Sequence, residues 1–264
     1  MPAVHDAPVT LLCLPCAGAS ATMYLRWRRY LPHWIHLAPI ELPGRGARMV
    51  EAPVEDFAAL VAGICDEQSH RMPGEFVLFG HSMGALLAYG VATRLRANGK
   101  ALPRALLLSG CAAPSARDVD HLAGMHTDAS LVSDLRRQGG TPDAVFEHDE
   151  LLRLTLDLLR ADYRVCSSFV APQVGAVLPL PVHVFAGRND AIGAPAMKAW
   201  SKATSGAFTL DWFDGGHFFI RDDERAFIAA LVRRIESSAI GVGTTPSASL
   251  RESTGRAPVR AQYP

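Results

Sequence analysis

The chain is expected to be an α/β protein whose mostly parallel sheet carries helices on both faces. Short, predominantly apolar runs recur along it (Val9–Leu14, Ile35–Ile40, Phe76–Phe79, Ala105–Leu108 and Val182–Ala186), each the length of a buried strand. Between several of them lie stretches with apolar residues at helical spacing, such as Phe57, Leu60, Val61 and Ile64. Strands that alternate with helices build crossover units, and crossovers cover both faces of a parallel sheet. A length of 264 residues suits one such domain with an insertion and leaves little room for a second domain.

Taken in order, Val9–Leu14 is the first strand. Pro15-Cys16-Ala17-Gly18-Ala19-Ser20 is a small-residue turn, which enters a helix near Met23 to Tyr30. Ile35–Ile40 is the second strand, stopped by the irregular loop Leu42-Pro43-Gly44-Arg45-Gly46. A helix follows from Glu55 to Glu67, with Glu55 and Asp56 favouring its positive end. Phe76–Phe79 runs straight into Gly80-His81-Ser82-Met83-Gly84 and a helix from about Ala85 to Ala97, and Ala105–Leu108 is the next strand. The alternation then stops: Leu131–Arg137 and Leu151–Phe169 read as helices separated by Gly139-Gly140-Thr141-Pro142, so residues 113–179 are expected to form a helical insertion. Strands at Val182–Ala186 and Ala207–Phe213 and a helix near Glu224–Ile235 complete the domain, residues 1–236. Residues 237–264 are rich in Gly, Ser, Thr, Pro and Arg without apolar periodicity, and are expected to be a disordered tail.

Composition narrows the function classes. Lys plus Arg and Asp plus Glu each number 26, so no global field draws the chain to nucleic acid or to an anionic membrane. Five scattered cysteines do not make a disulfide framework, and a reducing cytoplasm is expected. Cys13 and Cys16 form a C-x-x-C, but no second pair accompanies them for zinc, and redox or metal chemistry is a minor alternative. No basic residue precedes the first apolar run as a secretory leader requires, and no run reaches the ~20 apolar residues of a membrane span.

Gly80-His81-Ser82-Met83-Gly84 matches G-x-S-x-G, in which a strand reverses sharply into a helix and exposes the serine oxygen. Alone the pattern is weak, but the strand before it and the helix after it are the setting it needs. A serine hydroxyl requires a base, and among the ten histidines His217 follows the last strand and Gly215-Gly216, where a loop can reach over the sheet edge. His81 adjoins the serine and is poorly aimed at it, so a structural role suits it better. The carboxylate that orients the base is expected at Asp190, directly after the strand Val182–Ala186; Asp214, three residues before His217, is the competitor. Backbone N–H groups of Met83 and Ala17 are the expected oxyanion donors, one following the nucleophile and one in the turn after the first strand.

Across roughly residues 9–236 the sequence resembles the type II thioesterases, the free-standing editing hydrolases of polyketide synthase and nonribosomal peptide synthetase systems. The resemblance rests on Leu14–Ser20, Leu42-Pro43-Gly44-Arg45, Gly80–Ala85, Ser109–Pro114, Leu159-Arg160-Ala161-Asp162-Tyr163 and Gly215–Phe219. It departs at Ala19, where a second glycine is usual, and at Gly90, where the helix usually has Glu. The resemblance implies an α/β-hydrolase fold with Ser82, Asp190 and His217 as triad, Ala17 and Met83 as oxyanion donors, and no metal or cofactor. It also implies that residues 113–179 form a lid over an acyl chamber. The substrate would be an acyl group on the phosphopantetheine arm of an acyl or peptidyl carrier protein, met by a monomer without nucleic acid or membrane. The lid leucines Leu151, Leu152, Leu154, Leu156, Leu158 and Leu159 either line an acyl channel or, the favoured reading, pack on the hydrolase core. Arg26, Arg28, Arg29, Arg45 and Arg48 would offer an acidic carrier a basic patch, and a solvated helix face explains Arg26 to Arg29 equally well. A carboxylesterase or acyltransferase with the same triad, and an idle docking protein, are the rival readings.

Overall fold

The computed structural model describes residues 8–72, 74–117, 127–171 and 177–240. Six strands, β1 (Val9–Leu14), β2 (Ile35–Pro39), β3 (Phe76–His81), β4 (Leu106–Ser109), β5 (Val182–Gly187) and β6 (Phe208–Phe213), form one sheet in the order β2-β1-β3-β4-β5-β6. Every pair is parallel, as the apolar runs require. Side chains alternate between two apolar layers: Leu12 and Leu14 of β1 face one, Leu11 and Cys13 the other.

The first layer is covered by α1 (Phe57–Glu67) and α2 (Met83–Ala97), the second largely by aromatic residues around Trp27, Phe79 and Phe227. Asp56 lies outside α1 and caps it, its carboxylate accepting the Ala59 N–H at 2.8 Å. The segment expected as a helix near Met23 to Tyr30 is a 3-10 helix, Ala21–Arg29; its three-residue period puts Tyr24 and Trp27 on one buried edge.

Between β4 and β5 lie α3 (Asp128–Gln138), α4 (Asp143–Glu147) and α5 (Asp149–Ser167). Their packing corrects the expectation for the leucines. Leu156 and Leu159 join Leu131 and Tyr163 in a separate apolar cluster, whereas Leu151 and Leu154 are exposed. The chain ends its described part with α6 (Ala194–Lys198), α7 (Phe219–Asp222) and α8 (Glu224–Ile240). The boundary expected at residue 236 therefore moves: Ser237 to Ile240 continue α8, because buried Ser238 bonds to His183 Nε2 at 2.9 Å and donates to the Arg234 carbonyl at 2.8 Å. The rest of the expected tail, 241–264, lies outside the described residues. Among the described residues no helix is long and apolar enough to cross a membrane.

Candidate active site

Strand order decides which loops meet. β1 and β3 are neighbours in register, Leu14 beside Gly80, so the turns after them leave the carboxyl edge of the sheet side by side. The turn after β3 is extremely tight. A Cβ on Gly80 would lie 2.0 Å from the Gly84 carbonyl oxygen, and one on Gly84 would lie 2.1 Å from the Leu14 carbonyl oxygen. Both glycines of the motif are thus demanded by backbone contact. Between them Ser82 takes φ 54° and ψ −119°, the one positive-φ residue other than glycine among the described residues. Its N–H is tied to the Ser109 carbonyl at 2.8 Å and its own carbonyl accepts the Ala85 N–H at 3.0 Å, so the strained conformation is held from both sides.

Asp190 and His217 come together as expected. The loops after β5 and β6 are adjacent, and His217 Nδ1 lies 2.9 Å from Asp190 Oδ2, with both side chains largely buried. Asp190 is itself fixed, Oδ1 accepting the Ile192 N–H at 3.3 Å. The competitor Asp214 is 97% exposed and pairs with Arg188 at 3.1 Å, which removes it from the site. The His217 ring lies 5.0 Å from that of His81, and a Cβ on Gly110, which takes φ +57°, would lie 2.7 Å from His81 Cε1, so glycine at 110 makes room for the His81 ring.

A second serine and histidine meet beneath the turn, His81 Nδ1 lying 2.9 Å from Ser109 Oγ. Both are wholly buried, and burial, then the neighbouring His217 and Arg221, hold the His81 pKa well below its usual value. That pair braces β3 against β4 under Ser82.

A cavity of about 470 Å³ opens on Ser82, lined also by Ala17, Met83 and Phe218, with Arg117, Gln138 and Tyr163 on the side of the insertion. Three cysteines, Cys16, Cys111 and Cys166, line it too. Burial pushes their thiols up to about 12, about 11 and about 12, so at neutral pH they are protonated and poor nucleophiles. All five cysteines are free, Cys13 and Cys16 included. Beside this cavity a second one of about 350 Å³ shares Cys16, Ala17, Gln138 and Phe218 with it.

Met83 opens α2, where the first N–H groups have no partner in the helix itself. In the turn after β1 the N–H of Gly18, Ala19 and Ala21 bond to Asp162, Cys16 and Glu41, while that of Ala17 meets no protein acceptor among the described residues. Ala17 and Met83 both line the cavity that Ser82 lines.

The basic patch is not as expected. Arg45 is buried, its guanidinium paired bidentately with Asp162 at 2.6 and 2.7 Å, and Arg48 is bound to Glu51 and Glu67. Only Arg26, Arg28 and Arg29 stay exposed, with Arg26 3.7 Å from Glu224. Asp162 was not among the expected site residues, nor was the polar roof where the Tyr163 hydroxyl donates to buried Asp134 and Gln138 Nε2 lies 3.1 Å from that hydroxyl. The one available signal was the run Leu159-Arg160-Ala161-Asp162-Tyr163.

A parallel sheet with a strained serine at a strand-to-helix turn and a carboxylate–imidazole pair in the loops after its last two strands defines the α/β-hydrolase class. The Thioesterase domain family matches residues 9–238, and the chain belongs to that family. It is 34% identical over 224 residues to the thioesterase PikA5 of Streptomyces venezuelae, covering 83% of this chain and 79% of that one. Among solved structures it is similar to the RedJ thioesterase of the prodiginine pathway in Streptomyces coelicolor, with TM-score 0.76, 34% identity and 85% and 91% of the two chains covered. The type II thioesterase BorB of the borrelidin cluster gives TM-score 0.76 at 35% identity, with 88% and 94% covered. Within its family the chain is a type II thioesterase of the polyketide and nonribosomal peptide kind.

Proposed function

We propose that the protein hydrolyses acyl groups from the phosphopantetheine arm of carrier proteins, with Ser82 as nucleophile, His217 as base and Asp190 as the group that orients it. The observation that carries the reading is the strained Ser82 lining the cavity, with the Asp190–His217 pair formed in the loops after β5 and β6 and its imidazole 5.0 Å from the ring of His81, the residue before Ser82. His217 Nδ1–H, donated to Asp190, leaves Nε2 unprotonated to take the serine proton; such hydrogen bonds commonly tighten only when substrate binds. Ser82 Oγ attacks the thioester carbonyl, and the oxyanion is received by the N–H groups of Ala17 and Met83. Collapse expels the pantetheine sulfur, protonated by the imidazolium, and leaves the acyl group on Ser82. A water activated by His217 then releases the acid.

The cavity of about 470 Å³ suits a modest acyl group, and the adjoining one, across Ala17, suits the arm. Arg26, Arg28 and Arg29 are the exposed cations left for an acidic carrier. The test is mass spectrometry of an acetyl- or propionyl-loaded carrier protein with wild type and with Ser82→Ala. Deacylation by the wild type alone is expected. A wild type that cleaves simple oxygen esters and spares the loaded carrier would favour a carboxylesterase instead.

A further inference from the structure

The turn after β1 is gripped by carboxylates from elsewhere in the chain. Asp162 Oδ2 accepts the Gly18 N–H at 2.7 Å and Arg45 Nη1 at 2.7 Å, and Oδ1 accepts Arg45 Nη2 at 2.6 Å. Arg45 Nη1 also donates to the Ala19 carbonyl at 3.2 Å. On the far side Glu41 takes the Ala21 N–H at 3.0 Å and the Ser20 hydroxyl at 2.8 Å. Asp162 is wholly buried and the Arg45 side chain 3% exposed. One helical turn before Asp162, on the same face of α5, Leu159 stands 3.6 Å from where a Gly18 Cβ would lie; Gly18 itself needs φ +72°.

Stability is a poor reason for such a pair. Taking two charges out of water costs about as much as their attraction returns, and well-packed apolar residues commonly do as well. Direction is a better one. With the N–H groups of Gly18 and Ala19 bonded inward, the N–H of Ala17, a residue that lines the cavity, is not drawn away from it.

We propose that Asp162 is a positioning residue: by holding the Gly18 N–H and Arg45 it aims the Ala17 N–H at the developing oxyanion. This rests on Ala17 and Met83 being the oxyanion donors. Because Asp162 belongs to the insertion, seating of α5 and completion of the oxyanion site are one event. Any opening that lifted α5 would dismantle the catalytic turn.

The test is the double variant Arg45→Met/Asp162→Leu, which removes both charges and leaves neither buried alone. On an acyl-pantetheine thioester, kcat is expected to fall about 10–100-fold, less than the ~10²–10³-fold loss of an entire oxyanion donor, with KM within about threefold. The inhibition constant of an alkyl boronic acid, whose tetrahedral adduct places an oxygen in the same site, should rise by the same factor. A merely structural role would leave that constant unmoved in a folded variant. Arg45→Lys, which keeps the charge pair and drops the bidentate grip, should shift both quantities in the same direction by a smaller factor, and it serves if the double variant does not fold. Unchanged kcat and boronate affinity, or a rise in KM alone, would overturn the inference. A wild type silent toward the thioester, where Ser82→Ala is equally silent, would instead sink the thioesterase reading and this inference with it.

Discussion

Replacing Ser82 by glycine should stabilise the protein while abolishing its activity, and the comparison that isolates the effect is Ser82→Ala. At φ 54° and ψ −119° a residue with a Cβ is strained, by roughly 1–3 kcal/mol. Alanine keeps that Cβ and the strain; glycine relieves it. Against the relief stands the greater freedom of glycine in the unfolded chain, roughly 0.4–1 kcal/mol. At the middle of both ranges the balance is about 1.3 kcal/mol in favour of glycine, or roughly 3–5 °C in melting temperature for a domain of this size. The conformation cannot relax away in the alanine variant, because the contacts of Gly80 and Gly84 and the bond from residue 82 N–H to the Ser109 carbonyl are all backbone. Urea unfolding of the two inactive variants, compared at equal m, is the assay. Equal midpoints, or glycine the less stable, would refute strain at the elbow.

Asp190→Asn should lower kcat by about 10⁴-fold by presenting the wrong partner to His217 Nδ1, whereas Asp214→Asn, at an exposed pair with Arg188, should stay within about twofold; steady-state kinetics on an acyl thioester separates them. Gly90→Ala sets a Cβ 2.7 Å from the Phe57 ring and should lower the melting temperature, overpacking of roughly 1–3 kcal/mol outweighing the ~1 kcal/mol that alanine gains in a helix. In a Phe57→Leu/Val61→Ala background, which also clears the Val61 Cγ2 that the new Cβ would meet at 2.9 Å, the same change should raise it, and thermal melts of the four proteins read the reversal of sign. Acid should destabilise the fold through His183, whose pKa falls to about 4 through burial, then the nearby Arg234, against the opposing pull of Asp211. Its neutral form, bonded to Thr209 and Ser238, gives full stability above the unfolded pKa of ~6.5, and up to about 3 kcal/mol is lost as pH falls from there toward 4. Buried His81 adds to the loss in the same direction. Urea midpoints from pH 8 to 4.5 should slope less in His183→Gln; an unchanged slope would exclude this residue.

The parts of the site that could be read from the chain are those whose causes are local. Gly80 and Gly84 touch backbone within or beside their own turn, and Asp190 and His217 stand at the ends of successive strands, so motif and strand order were enough to find them. Asp214 was the competitor because sequence distance says nothing of burial. Arg45 and Asp162 were beyond such reading: they are 117 residues apart, and a lone arginine in a loop or aspartate in a helix looks the same whether it faces water or a partner. Only the docking of α5 on the turn after β1 distinguishes the cases, and that docking is a tertiary fact.

The two departures from the family pattern divide in the same way. Gly90 is explained by what packs on it, since the Phe57 ring occupies the space a larger residue would need, and Phe57 in turn rests edge-on against Phe169 just past the end of α5 at 4.8 Å. Ala19 is tolerated because its carbonyl is held by Arg45 and its N–H by the Cys16 carbonyl, with no positive φ asked of it; the one residue of that turn that needs glycine is Gly18. A side chain at 19 therefore leaves the geometry at Ala17 intact, whereas a change at 18, at Arg45 or at Asp162 would disturb it. The insertion thus reaches the chemistry through Asp162 at the turn behind the oxyanion site, while Leu156 packs with Leu131 and Tyr163 inside the insertion and Leu159 both joins that cluster and lines the second cavity.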